Sequence, residues 1–572
     1  MKLLSTFISG ILCTAVVTTE CSGEWPQQVV DLRQEIKRHN LHGYLIPSED
    51  AHLSEYVAPE YARRTFITGL HGSAGDAIVL NDEAALKTDS RYCDAIPIDV
   101  DCNWTSFCPG SQNDLANFAG EQLKTTTDPK VGADPFLFTQ GGWETYRSAL
   151  AKNGVQLVPI EQNLVDNVWS ALERPKPSEE KYFIHDLVFT GATVDEKLSA
   201  VIGKMSDKNV DYLIITRLDS IAWVLNLRGL DVPYSPVITS YLVVDKAMRA
   251  VLYPYDPSKI RAIANIDSHL CPGTGKICVA VSEAYTDIST ELSKLSGKIW
   301  VPSTGTTFGV MNAIDASSEM ITDPCPVEFQ KSVKNKVEQA GMKRSGLYDS
   351  VAICEGLLNT ETKLSRGDTI TELDVAADVA RLRGEVDPDH YMGESFDCIA
   401  ASGPNAANNH YSPTEATNRK LAVDEIFLLD NGGQYLDGTT DVTRTIYVGE
   451  ASDEIKGNKE AVTLRHIYYF KMDTHVFYKA TCICQTAYFR QALTAIRWNP
   501  LRGNLSFKTI KSTATEPATV LATFYLYTSF PMALARVLHP TITPGLLPEW
   551  SKVTSLDSMS AETMGCVLKM MS

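Results

Sequence analysis

The stretch IFLLDNGGQYLDGTTDVTRTIYVG, residues 426–449, ends an apolar run in one aspartate and sets a second inside a threonine-rich strand. Ile426 to Leu429 form an unbroken apolar run of the kind found in strands buried on both faces, and Asp430 closes it. Further on, Asp441, Thr443 and Thr445 alternate with Val442 and Ile446, so the acid shares a strand face with two hydroxyls. Between the two segments Asp437-Gly438 is a tight-turn pair. A turn there folds the strands together and points both carboxylates at one place. A buried carboxylate without a partner costs several kcal/mol, so the pair calls for a cation or several donors. Two hard oxygen ligands suit a divalent metal. A plainer arrangement also fits, in which Asp430 caps the Asn431-Gly432-Gly433 bend and Asp441 is solvated.

Composition narrows the chemistry. The 572 residues are 44% hydrophobic and 21% charged, which is globular material too long for a single core. A net charge of −18, with no basic stripe interleaved with aromatics, excludes a general nucleic-acid binder and favours peptides, small molecules or cations as partners. The chain opens MKLLSTFISGILCTAVVTTECSGEW, with one lysine, an apolar stretch from Leu3 to Val17, and then small and polar residues. Residues 1–23 thus read as a secretory signal peptide, too short and hydroxyl-rich for a stable membrane span. A secreted, extracellular protein is the expectation, with a cytoplasmic one as the alternative. The sequons Asn103-Trp104-Thr105 and Asn504-Leu505-Ser506 agree with export. The 13 cysteines include no CxxC pair, which argues against a structural zinc knuckle.

Periodicity divides the rest. Residues 24–174 alternate helical stretches (VVDLRQEIKRHN) with strand-like ones (GYLIPS, AIVLN, VGADPF), as an α/β domain does. After the Pro-containing linker ALERPKPSEEKYF, residues 175–325 repeat that alternation, with strands at VDYLIIT, TSYLVVD and KIWVPS. Equal size and pattern suggest a diverged repeat. Residues 326–463 open on a long helical stretch, expected to break near Gly341 and Gly346. A helix start at Thr371, with Asp374 three residues on, and the strand-like FDCIAAS, EIFLLD, GQYL and TRTIYVG follow. This third part is therefore α+β, helices on an antiparallel sheet.

Upstream of the opening stretch, IAASGPNAANNHYSP, residues 399–413, places His410 on a loop beyond a strand and a Gly-Pro-Asn turn. A lone loop histidine is ordinarily just exposed. Here the order is small-residue loop, histidine, apolar strand ending in Asp, hairpin, and then DGTTDVTRT. In that order the chain resembles the creatinase/aminopeptidase family of "pita-bread" metallopeptidases, and within it the Xaa-Pro aminopeptidases with two N-terminal domains. YLIPSEDAHLSEYVAPEYARRTFITGLHGSAGDAIVL, LKTDSRYCDA and LDSIAWVLNLRGLDVPYSPV are similar to its three-domain eukaryotic subgroup, and the resemblance runs from Glu24 to Thr463.

The resemblance implies two creatinase-like N-terminal domains followed by a pita-bread catalytic domain. It implies two divalent metal ions, Mn2+ or else Zn2+, sharing Asp, Asp, His, Glu and Glu. The two aspartates match Asp430 and Asp441, the latter bridging, and His410 matches the histidine that orients the substrate or relays a proton. The implied reaction releases the N-terminal residue from peptides with proline second, by metal-activated hydroxide; hydrolysis of Xaa-Pro dipeptides is the less favoured substrate choice. A homodimer is expected, since relatives commonly pair. Arg228, in NLRG, matches a family segment without a catalytic role.

The family order next requires a strand resembling H-G-x-G-H-G and two glutamates. Beyond Thr463 neither is found: His539 lacks the surrounding glycines, and Glu516, Glu549 and Glu562 stand in no motif. The catalytic domain thus reads as incomplete, and 464–572 as an unmatched tail from an altered exon junction. The chain as written is expected to bind two metals poorly, and a non-catalytic binding or dimerisation protein is the alternative function. Apolar surface that the missing strands cover in the family is expected to face water.

Overall fold

The computed structural model describes residues 23–458. The stretch up to residue 22 that reads as a signal peptide, the Asn504 sequon and the tail 464–572 lie outside the described residues. Two compact units are present, 23–177 with 305–313, and 178–304 with 314–458.

In the first unit six strands form one sheet: β1 (Gly43–Ile46), β2 (Asp76–Leu80), β3 (Ala84–Lys87), β4 (Thr105–Phe107), β5 (Lys130–Ala133) and β6 (Gln156–Pro159), in the order β4-β3-β2-β1-β5-β6. β1 and β2 are buried throughout because helices cover both faces. Side-chain alternation divides that core. Leu45 packs with Leu115, Trp143 and Leu150, whereas Tyr44 and Ile46 pack with Val29, Leu32 and Ile36 of the helix Gln27–Arg38. A Cys93–Cys108 disulfide ties two of its loops.

The second unit begins with the short pair β7 (Phe183–Ile184) and β9 (Leu227–Arg228). Its main sheet holds β8 (Tyr212–Ile215), β10 (Ser240–Asp245), β11 (Arg249–Pro254), β12 (Cys278–Val281), β13 (Lys298–Trp300) and β14 (Glu319–Ile321), in the order β12-β11-β10-β8-β13-β14. The inner strand β1 runs antiparallel to β2 and parallel to β5; β8 runs antiparallel to β10 and parallel to β13. The outer pairs agree as well. Six strands in one order and one set of directions is what a diverged repeat produces, as the equal periodicity suggested.

The same unit continues into the short helix Pro326–Ser332 and the long helix Lys336–Ser365, which Asn335 and Glu338 start with a capping box. The expected break at Gly341 and Gly346 is absent; the helix runs through both, and the interruption falls before Asn335. Gly341 is required for close approach instead. A Cβ there would lie 2.5 Å from the Asp437 carbonyl oxygen. A second helix, Glu372–Val386, starts at the Thr371/Asp374 capping box anticipated from the sequence.

Both helices pack on one face of a three-stranded sheet of β16 (Ile399–Ser402), β17 (Glu425–Asn431) and β19 (Val442–Val448), while β15 (Tyr391–Glu394) pairs separately with β18 (Gly433–Tyr435). Phe427 and Leu429 face Ile353, Val375 and Val379 in the core. Ile426 is exposed, and Leu428 and Asp430 are only half-buried. The run Ile426–Leu429 is therefore covered on one face and not on two. Its continuous apolarity reflects a second face that no described residue covers. Leu347, Val351 and Leu358, on one stripe of the long helix, are likewise exposed. Among the described residues no helix is long and apolar enough to cross a membrane.

One ionic contact joins these elements. Arg383, fully buried in the second helix, donates from Nε to Asp349 Oδ1 of the long helix at 2.6 Å and from Nη2 to Asn431 Oδ1 at the end of β17. Tyr435 donates to the same Asp349 oxygen at 3.3 Å. Arg383→Met should destabilise this unit by about 3–5 kcal/mol, because Asp349 is left buried and unpaired. Replacing Asp349 by Leu as well should recover much of that loss in a urea titration.

Candidate metal centre

β17 and β19 pair antiparallel with Asp430 opposite Thr443 and Asn431 opposite Val442. Side chains two apart share a face, so Asp441, just before β19, stands diagonal to Asp430 on the uncovered face. The two aspartates expected to converge therefore do so. The connection is held tightly: Gly433 N–H donates to Thr440 Oγ1 at 2.8 Å and Thr440 N–H to Gly433 O at 2.9 Å. Gly432 is obligatory, since a Cβ would fall 2.1 Å from the Thr440 carbonyl oxygen. The Asp437-Gly438 turn forms as read, with Tyr435 N–H donating to Gly438 O at 2.8 Å.

Asp430 Oδ1 is shut off from solvent and accepts no hydrogen bond from the protein. Burial raises the Asp430 pKa above the usual carboxylate range; the Thr443 hydroxyl opposes this, though without hydrogen-bond geometry, and the Asp441 charge adds to the rise. A carboxylate oxygen without a donor, next to a second carboxylate, is the donor set of a hard divalent cation. The Asn431 side chain is tied into the bend through Arg383 and the Val442 carbonyl, while the Asn431 backbone N–H lowers the Asp430 pKa a little against the effect of burial.

His410 is exposed, in the left-handed region at φ 54°, on the loop that leaves β16. β16 pairs with β17 from Ile399 opposite Asp430 to Ser402 opposite Phe427. The loop thus departs three register steps from Asp430, roughly 10 Å along the strand. The two aspartates are brought together by one sheet; the histidine is carried by a separate, neighbouring loop. Arg228 donates to the Ala222 and Leu227 carbonyls, a local anchoring role consistent with no chemistry of its own.

Sequence reading missed a second acidic group. Asp387, His390 and Asp437 offer ligand atoms within 4.8 Å of one another. Here, however, the Arg344 guanidinium already neutralises Asp437, with Nε 2.8 Å from Oδ2 and Nη2 on Oδ1, and His390 Nδ1 lies 2.8 Å from Asp387 Oδ1. The group clamps the Asp437-Gly438 turn, and with it the approach to Asp441. Nothing in the local sequence announces this, since the partners come from 344, 387, 390 and 437.

Comparison with known proteins agrees with the fold. Residues 173–338 match the creatinase/prolidase N-terminal domain and 340–471 match metallopeptidase family M24. The chain is 38% identical over 429 residues to Xaa-Pro aminopeptidase 2 of Homo sapiens, covering 74% of this chain and 62% of that one. It is 36% identical to Xaa-Pro aminopeptidase ApepP of Drosophila melanogaster, covering 74% of this chain and 67% of the relative. The crystal structure of X-prolyl aminopeptidase from Caenorhabditis elegans, a cytosolic enzyme with a di-nuclear active site, superposes with a TM-score of 0.68 at 31% identity, covering 75% of this chain and 70% of that one. The fold is that of an M24 metallopeptidase, and the chain belongs to the Xaa-Pro aminopeptidases of that family. It spans about three-fifths of the human relative's length.

In chelator, Asp430→Asn should stabilise the second unit by about 0.5–2 kcal/mol at neutral pH, by removing a charge the fold does not satisfy. Because the folded-state pKa is raised, the charged form burdens the wild type above that pKa. The gain should therefore shrink as pH falls through it, as equilibrium unfolding in urea would show.

Proposed function

We propose that the protein is a metal-dependent aminopeptidase that releases the N-terminal residue from peptides with proline second, using two divalent ions, Mn2+ foremost. The observation that carries this reading is the juxtaposition of Asp430 and Asp441 on the uncovered sheet face, with one Asp430 oxygen buried and undonated. Support comes from the matched relatives, which are Xaa-Pro aminopeptidases, and from the di-nuclear site of the nematode enzyme. Asp430 and Asp441 would hold the ions, Asp441 as the shared ligand. Such ions supply Lewis acidity to the scissile carbonyl and lower the pKa of the attacking water. In the family order the remaining His, Glu and Glu would follow Thr463, where this sequence carries no such motif. His410 would engage the peptide and exchange a proton at its imidazole, its loop being fixed independently of the metal ligands. A tertiary amide to proline has no N–H to offer, so recognition must come from shape and from such side-chain contacts. A homodimer fits this reading through the family alone.

The test is metal-dependent turnover of a tripeptide with proline second, set beside an Xaa-Pro dipeptide. The tripeptide should be the better substrate, and Asp441→Asn should nearly abolish turnover, since a shared ligand loses charge at both ions. His410→Ala should slow turnover while metal content stays near that of the wild type; loss of metal would make His410 a ligand instead.

Export is proposed on different grounds. Cys93–Cys108 and Cys271–Cys278 are disulfide-bonded, and such bonds persist in oxidising compartments. Expressed in a secretory eukaryotic cell, the protein should carry a glycan at Asn103 and lose about its first 18–24 residues, a typical signal length. An intact Met1 on an unglycosylated cytosolic product would sink this reading.

A further inference from the structure

Glu372 is the first residue of the helix Glu372–Val386 and has no solvent exposure. Sequence offers only the first helical position for it, between the capping-box residues Thr371 and Asp374, yet its carboxylate gathers donors from the whole loop 402–419. Oε1 accepts from Ser402 N–H at 2.6 Å, Ser402 Oγ at 2.9 Å and Asn405 Nδ2 at 3.2 Å. Oε2 accepts from Tyr411 Oη at 2.7 Å, Arg419 N–H at 3.1 Å and the same Asn405 amide at 3.1 Å. Its own N–H donates to Arg419 O at 3.0 Å. Ser402 is where the loop leaves β16, Arg419 is where it returns toward β17, and Tyr411 follows His410 directly.

One carboxylate therefore ties both ends and the middle of the loop. The helix N-terminus favours its negative charge. Arg419 closes the far side, donating to Glu425 through both terminal nitrogens and to Ser402 Oγ. His410 itself is exposed and in a left-handed conformation. The next residue, Tyr411, has its hydroxyl against Glu372 Oε2 buried beneath it, and also against Thr417.

We propose that Glu372 is the positioning residue for His410, fixing the loop that presents the imidazole to the peptide through the Tyr411 hydroxyl and the two loop ends. The catalytic consequence rests on the aminopeptidase reading; the placement of the loop does not. Glu372→Gln is nearly isosteric, but its amide sets N–H against donors that need an acceptor. Tyr411→Phe removes a single O–H and keeps the ring.

Full-length wild type, Glu372→Gln, Tyr411→Phe and the double variant are compared by hydrogen exchange of 403–418 and by the imidazole NMR signal of His410, assigned with His410→Gln. Metal content and steady-state kinetics complete the set. Glu372→Gln should speed loop exchange by about tenfold while β17 stays protected. It should also shift or broaden the His410 signal, and lower kcat by about 100-fold with KM and metal content little changed. Tyr411→Phe should show the same pattern more weakly, and the double variant should fall short of the sum. If Glu372→Gln fails to fold, Tyr411→Phe decides alone. An unmoved His410 signal, or equal loss of protection across β17, would overturn the proposal. A wild type with no hydrolysis would sink the aminopeptidase reading, and the exchange and His410 signals would still settle the positioning.

Discussion

Arg383 is the contact on which the helices and sheets of residues 336–448 lean. A guanidinium with no solvent access is costly to bury, and it is accommodated because Asp349 and Asn431 meet it from two other elements. The long helix, the second helix and the end of β17 are thereby fixed to one another. Asn431 directly precedes the Gly432 bend and directly follows Asp430, so the Asp430 carboxylate is set from behind by a cation it never touches. Gly432 and Gly341 extend the same constraint, since each marks a place where a carbonyl comes too close for any Cβ.

Four buried or half-buried acids of this unit show how differently the same group can be satisfied. Asp349 has Arg383, Asp437 has Arg344, and Glu372 has a ring of neutral donors. Asp349 Oδ2, like Asp430 Oδ1, lacks a donor, but Asp430 has a like charge at its side and, among the described residues, no cation against it. The first three hold helices, a turn and a loop in place. Only the fourth leaves an electrostatic demand that the surrounding protein raises without meeting it. That difference sets Asp430 apart from the structural carboxylates, whereas in the Asp387-His390-Asp437 group the Arg344 guanidinium on Asp437 makes the group a clamp.

The two six-stranded sheets add a second lesson. Their strands share order and direction although the sequences share little beyond alternation. Topology survives because the constraint on each strand is only to be apolar, β-prone and of a given length. Individual side chains were then free to diverge, as the distinct helix and loop partners of the two cores show.

Sequence by itself determined the elements, the pairing of Asp430 with Asp441 and the family, because these rest on local signals: periodicity, a tight-turn pair, a capping box and an ordered string of motifs. It misjudged the run Ile426–Leu429 as covered on both faces, since periodicity records apolarity and not what lies opposite. It placed a helix break at Gly341, since glycine's cost in a helix is local while its benefit, room for the Asp437 carbonyl, comes from 96 residues further along the chain. Arg383, Arg344 and Glu372 were invisible for the same reason. Each is defined by partners distant in sequence, and a buried charge looks like any surface charge until the fold brings its counterpart to it.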